Sequence, residues 1–212
     1  MIDHLVFAAP DLRVASEQIA LQLGVVPTTG GNHPKWGTIN SLMALGGRQY
    51  LEIIAPDPTL DDLPTTAAKI AALQTPEIVT FATENGQLEI IEATAKKLGM
   101  GTSGIQLGSR KTPAGDLLSW RILLVASETY TGLLPFFIDW QDTTHPGETS
   151  AKGARLMRMV VSHPEPDGLR ALYEAFGIDV PLVYGNRPAI IVEIEGGGKT
   201  VVLQGSGHGF HF

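Results

Sequence analysis

The chain contains no cysteine among its 212 residues, which removes disulfides, thiolate metal sites and thiol nucleophiles from consideration and leaves the redox compartment unmarked. Any metal would need histidine, carboxylate or amide ligands. Positive charge is also scarce: 15 Lys and Arg stand against 22 Asp and Glu, a formal charge of -7, the wrong sign for a surface that must displace counterions from a phosphate backbone. Nucleic acid is therefore not an expected partner. No run approaches the roughly 18 apolar residues of a membrane span. The alternating stretch from Ile2 to Ala9 begins at once, without a basic leader or a cleavable apolar segment, so the expectation is a cytoplasmic protein with no membrane partner. Nucleotide-binding glycine patterns are missing, since Gly46-Gly47 and Gly196-Gly197-Gly198 are too short. Gly205-Ser206-Gly207 lacks the flanking spacing of a nucleophile elbow.

What the chain does have is 43% hydrophobic and 17% charged residues, enough to bury a sizeable core in one large or two small domains. Ile2 to Ala9 reads as a strand, followed by a helix capped by Asp11 and stopped near Gly24. After a Gly/Pro-rich loop over 27–34, Thr38 to Leu45 and Gln49 to Ile54 read as strands joined at Gly46-Gly47. Ile78 to Thr83 reads as a strand and Gln87 to Leu98 as a helix ended by Gly99. Gly104 to Arg110 and Leu117 to Val125 then form a hairpin around Pro113-Ala114-Gly115, and Leu134 to Trp140 closes the pass. The order recurs once more in a strand over Leu156 to Ser162 and a helix from Leu169 to Phe176 stopped by Gly177.

Particular residues recur too. Gly24-Val25-Val26-Pro27 matches Gly177-Ile178-Asp179-Val180-Pro181, Gly31-Asn32-His33-Pro34 matches Gly185-Asn186-Arg187-Pro188, and Gly46-Gly47-Arg48 matches Gly197-Gly198-Lys199, which suggests an internal duplication. The reading is an α+β protein of repeated βαβββ modules: residues 1–56, a helical linker over 57–76, a middle module over 77–140, a hinge over 141–153, and a third module over 154–212 with a Gly/His-rich tail.

On the stretches Ile2-Asp3-His4-Leu5-Val6-Phe7-Ala8-Ala9-Pro10-Asp11-Leu12 and Tyr50-Leu51-Glu52-Ile53-Ile54, the sequence resembles the glyoxalase-like branch of the vicinal-oxygen-chelate superfamily, which spans glyoxalases, bleomycin-resistance proteins and dioxygenases. Gly30-Gly31-Asn32-His33-Pro34, Trp36-Gly37-Thr38-Ile39-Asn40 and Leu134-Pro135-Phe136-Phe137-Ile138-Asp139-Trp140 are similar to motifs of a glyoxalase-like family within it. The resemblance implies two modules whose curved sheets enclose a cleft, with a divalent metal (Zn, Mn, Fe or Ni) held by one residue from the first and fourth strands of each. His4 and Glu52 match the first module's two positions. The implied chemistry is a metal-assisted lyase, isomerase or dioxygenase reaction on a small oxygenated substrate, with Glu52 alternatively the proton-transfer base. It also implies modules paired across a homodimer.

The second half of that ligand set is not visible. The third module sets Arg158 opposite His4 and Leu203 or Gln204 opposite Glu52; the middle module offers Ile78 or Val79, and Ile138 or Asp139. A metal-free small-molecule binding or sequestering protein of the bleomycin-resistance type is therefore the alternative. For contacts to a small-molecule ligand the candidates are His33 and Asn40 at the Gly/Pro-rich loop, Arg110 and Trp120 on the middle hairpin, Asp139, and Arg158. A guanidinium facing the cleft would favour a carboxylate or phosphate ligand. His145, beside Pro146 in the hinge, reads as exposed.

Overall fold

The computed structural model describes residues 1–111, 115 and 117–207, with the side chains of Arg110 and Lys111 excepted. The expected turn at Pro113-Ala114 and the tail from His208 onward lie outside the described residues. Strand β1 (Ile2–Ala8) runs into helix α1 (Leu12–Leu23), and β2 (Thr28–His33), β3 (Thr38–Ala44) and β4 (Tyr50–Pro56) follow. Helix α2 (Thr65–Ala71) links to a second set of the same order: β5 (Glu77–Glu84), α3 (Leu88–Lys97), β6 (Gln106–Lys111), β7 (Leu117–Leu123) and β8 (Phe136–Asp139). A one-turn helix α4 (Pro146–Thr149) precedes β9 (Ala154–His163), α5 (Pro166–Phe176), β10 (Leu182–Tyr184), β11 (Ala189–Gly196) and β12 (Lys199–Gly205).

The helix ends follow from local chemistry. Asp11 accepts a hydrogen bond from the Val14 N–H at 2.8 Å, and Gly24 closes α1 in the left-handed region at φ 68°, a conformation that costs a residue with a Cβ. Gly177 does the same for α5 at φ 66°. Helix α5 starts at Pro166, a turn earlier than its apolar spacing suggests, because proline's fixed φ suits the first helical position.

The first two sets share one eight-stranded sheet in the order β2-β3-β4-β1-β5-β8-β7-β6. In each set the first strand pairs in parallel with the last, β1 with β4 and β5 with β8, and the two sets join by the antiparallel pair β1 and β5. The sheet curls until its edge strands β2 and β6 approach, where Lys35 donates to Gln106. Both halves of the enclosed cleft therefore come from one chain.

The third set repeats the element order but not the pairing. Strand β9 lies between β10, parallel to it, and β11, antiparallel to it, in a separate sheet ordered β10-β9-β11-β12. The recurrent glycines carry cap and turn chemistry: Gly46, Gly47, Gly197 and Gly198 all have positive φ. They report local conformation and leave sheet order open.

Strand alternation divides the eight-stranded sheet into two faces. Leu5, Phe7, Leu51, Ile53 and Phe81 point to the convex side and form the main core with α1, α3, α5 and the four-stranded sheet. Tyr173 on α5 ties these layers by donating its hydroxyl proton to the Leu133 carbonyl at 2.6 Å, and burial pushes its ionisation upward. Val6, Ala8, Ile54 and Val79 face the concave side, where Ile70 of α2 covers one end.

The two sheets meet so closely that a Cβ on Gly205 would stand 2.0 Å from the Ile78 carbonyl oxygen. Gly205→Ala is expected to lower the unfolding free energy by about 1–3 kcal/mol, the usual cost of forcing atoms into a packed contact. Urea denaturation measures it, and a change within about 0.5 kcal/mol, as at an ordinary surface site, would show that the sheets do not dock at this distance.

Candidate active site

The concave face encloses a cavity of about 60 Å³ whose polar wall comes entirely from the first half of the sheet: His4 on β1, His33 on β2, Asn40 on β3 and Glu52 on β4. The opposite wall, from β7, β8 and the residues following them, is apolar and includes Trp120, Ile138 and Trp140. All three tryptophans of the chain line the cavity, Trp36 being the third.

Two irregularities in strand pairing build the polar wall. The register of β1 against β5 shifts between Ile2 and His4, which leaves Asp3 as the extra residue and lets its carboxylate reach the ring of its own neighbour. Asp3 Oδ1 takes the Nδ1 proton of His4 at 2.5 Å, while Oδ2 accepts from Trp140 Nε1 at 3.0 Å and His145 Nε2 at 2.9 Å. The second irregularity sets Gly30 and Gly31 of β2 opposite Asn40. A Cβ on Gly30 would lie 2.0 Å from Asn40 Oδ1, so only glycine lets the amide sit there and accept from the Gly31 N–H at 2.8 Å. The segment expected as a loop is a strand for this reason: its glycines form a bulge inside an edge pairing.

These bonds fix orientations. With its oxygen held by Gly31, Asn40 presents Nδ2 and donates to Glu52 Oε1 at 2.6 Å. With Nδ1–H held by Asp3, neutral His4 presents a bare Nε2, 3.7 Å from Glu52 Oε2. His33 brings Nε2 to 3.9 Å from Glu52 Oε1 and rests its Nδ1 against the Thr38 hydroxyl at 3.2 Å. Glu52 thus lies between two imidazoles, 8% exposed, in a cavity otherwise walled by aromatic and aliphatic groups. Tyr50 stacks on the His4 ring at a centroid distance of 4.5 Å, which restrains it further.

Among the residues singled out from the sequence, His4, Glu52, His33, Asn40 and Trp120 converge on this cavity. Asp139 and Arg158 do not. Alternation along β8 turns Ile138 inward and Asp139 to the other face, where it accepts from Arg121 at 2.7 Å. Arg158 lies on the separate four-stranded sheet, exposed and paired with Glu193 at 3.3 Å, away from the cavity lining. The side chain of Arg110 lies outside the described residues. His145 is fully buried, contrary to its reading as an exposed hinge residue, because Nε2 donates to Asp3 and Nδ1 accepts from the Gly147 N–H at 3.0 Å.

The partner positions for a metal can be assigned from register. His4 pairs with Ala82 across the β1–β5 junction, and the parallel pair of Glu84 with Ile138 corresponds to that of Val6 with Glu52. Ala82 and Ile138 therefore take the places of His4 and Glu52 in the second half, Ile138 being one of the two residues expected there and Ala82 standing beyond the Ile78 or Val79 expected on β5. Neither carries a donor. Among the described residues no group of three or more His, Asp or Glu side chains is disposed to hold a metal ion. The residues present do not fit a four-ligand divalent centre of the kind the resemblance implies.

The Asp3 carboxyl titrates at about 2, below its ordinary 3.8: burial alone would raise it, but hydrogen bonds from His145 and His4 and the charges of those rings outweigh burial. A depressed acid stabilises the fold above its unfolded pKa and loses that contribution as pH falls through the folded value. Stability is expected to drop by about 2 kcal/mol between pH 5 and pH 2 from this group. The pH dependence over that window should flatten in Asp3→Asn, as followed by thermal unfolding at a series of pH values. An unchanged acid limb in the variant would show that Asp3 is not the titrating group.

Comparison with known proteins adds to this picture. A crystal structure of a hypothetical protein from Staphylococcus aureus superposes with a TM-score of 0.64 at 13% identity, covering 96% of this chain and 84% of that one. A single-residue variant of the Streptomyces coelicolor methylmalonyl-CoA epimerase, in complex with 2-nitronate-propionyl-CoA, gives 0.51 at 17% identity over 69% of this chain and 98% of its own. A methylmalonyl-CoA epimerase in complex with methylmalonyl-CoA and NH4+ also gives 0.51 at 17% identity, over 68% and 97%. At these identities the likeness shows a shared fold, the vicinal-oxygen-chelate arrangement. No curated protein matches the chain by sequence. The sequence profile of the glyoxalase-like domain matches residues 2–177. The chain belongs to the glyoxalase-like domain family.

Proposed function

We propose that the protein is a proton-transfer enzyme, an isomerase or lyase acting beside the carbonyl of a small substrate, with Glu52 as the base. The observation that carries this reading is a carboxylate set between two imidazole Nε2 atoms, at 3.7 and 3.9 Å, inside an apolar cavity. Asn40 occupies Oε1, which leaves Oε2 as the basic oxygen. Exclusion of water from such a site strengthens the basicity that matters in the transition state.

In the reaction, Oε2 takes the proton from the carbon next to the carbonyl, and the electron pair of that C–H bond moves toward the carbonyl oxygen. When the Thr38 hydroxyl donates to His33 Nδ1, His33 offers Nε2–H to the oxygen on which charge builds. The bare Nε2 of His4 receives the proton from Glu52 or returns it to another carbon. Asp3, held ionised, stabilises the imidazolium that forms and keeps the ring aligned, as a buried carboxylate does for a catalytic histidine in acyl-transfer triads. No step is drawn through a metal, because the donors on the second wall are missing.

The test is solvent deuterium incorporation, followed by NMR, across a panel of small aldehydes and ketones. Glu52→Gln is expected to lower exchange by roughly 10²–10⁴, the usual contribution of a positioned base. Treatment with EDTA is expected to leave the rate unchanged. Exchange as fast in Glu52→Gln as in the unaltered protein would remove Glu52 from the chemistry, and loss on chelation with recovery on adding a divalent ion would replace this reading by the metal-assisted one. A second reading rests on the one-sided polar wall: tight ligand binding with no exchange on any substrate would identify a metal-free sequestering protein.

A further inference from the structure

We propose that the cavity selects a ligand whose inserted group carries a positive nitrogen, such as a small alkylammonium head, and rejects carboxylates. This rests on the reading of Glu52 as an ionised carboxylate facing the ligand and goes further by fixing the ligand's charge class. The argument starts from a count of charges. Among the described residues that line the cavity, Glu52 is the one with a formal charge when the histidines are neutral. Among the described side chains, the nearby cations are committed elsewhere. Arg121 turns to the other face of β7, bonded to Asp139 and Glu89, and Lys35 is exposed beyond the lining, bonded to Gln106.

A ligand that enters must displace the water solvating Oε2. An apolar head gives that oxygen nothing in return, an anion adds repulsion, and a cation replaces the lost hydration. The rest of the wall suits a cation as well. Trp120 and Trp140, 5.4 Å apart by ring centroid, line the wall opposite Glu52, while the Tyr50 ring is already stacked on His4. Electron-rich aromatic faces around a carboxylate are the surroundings that recognise alkylated ammonium groups. Lys35 already shows the tendency at the rim, with its ammonium 5.9 Å from the centroid of the Trp36 ring.

A carboxylate in the same place would meet Glu52 with no guanidinium or ammonium among the described lining residues to offset it. In a substrate, positive charge beside the reacting carbon would also stabilise the carbanion that Glu52 generates.

Because all three tryptophans line the cavity, their fluorescence reports occupancy directly. The probes are tetramethylammonium, its neutral isostere tert-butanol, and acetate, each titrated into the full chain at constant ionic strength. Tetramethylammonium is expected to bind at least tenfold more tightly than tert-butanol, with no saturable response to acetate. In Glu52→Gln the preference for tetramethylammonium over tert-butanol should disappear. Equal binding of the cation and its isostere, or tighter binding of acetate, overturns the proposal on the unaltered protein alone, so it does not depend on the variant folding. If neutral ketones exchange deuterium in a Glu52-dependent way while tetramethylammonium does not bind, the charge assignment falls and the proton-transfer reading stands. If tetramethylammonium binds through Glu52 but nothing exchanges, the reverse holds.

Discussion

Asp3 is 2% exposed and accepts hydrogen bonds from three side chains: its neighbour His4 on the first strand and, 137 and 142 positions away, Trp140 just past β8 and His145 before α4. An ionised carboxylate in such a place is tolerated only when its lone pairs are met, and here the donors that meet them also define the site. His4 gains its orientation, Trp140 is pinned into the cavity wall, and the segment before α4 is tied to β1. Removing any one donor leaves the carboxylate short of a partner in low dielectric, so the elements are coupled more strongly than their separate contacts suggest. The site and the closure of the sheet around it share one electrostatic condition.

The two halves of the eight-stranded sheet have the same topology and opposite character. The first supplies every polar group of the cavity, two imidazoles, a carboxylate and an amide, while Ala82 and Ile138 occupy the corresponding places in the second. A duplicated architecture that contributes ligands from both halves would surround a central ion. This one sets a polar wall against an aromatic wall. The asymmetry lies in the side chains and in the glycine bulge of β2 against β3, which the regular pairing of β6 with β7 lacks.

Much of this was legible in the sequence, for physical reasons. Helix caps such as Asp11 and Gly24 act over a few residues, and alternation along Ile2–Ala8 and Tyr50–Ile54 marks which side chains share a face of each strand, whereas the meeting of His4 with Glu52 is implied by the resemblance to the glyoxalase-like branch and not by alternation. Asp3 and His145 were not found, because their roles arise from a bulge and from a contact across 142 positions that no local pattern encodes. The one available signal was an acid beside a histidine in an otherwise apolar strand. Arg158 was misplaced for a related reason. The glycine recurrences that aligned it with His4 record turn conformation, and the pairing of β9 between β10 and β11 is decided by long-range contacts.

The bulge at Gly30-Gly31 shows how the local and the long-range combine. A Cβ at Gly30 would occupy the place of the Asn40 amide oxygen, so the residue that weakens β2 as a strand is also the residue that admits the amide. Once admitted, Asn40 has its oxygen taken by Gly31 and can meet Glu52 only through Nδ2, a donor that supports the ionised carboxylate and cannot compete with it for a proton. The free oxygen is then the one facing His4, whose own bare nitrogen is set by Asp3. Two extra residues in strand pairing, one at Asp3 and one at the glycine pair, therefore determine between them which atoms of Glu52 and His4 are open to a ligand. The polarity of the cleft therefore depends on backbone irregularities as well as on side-chain identity.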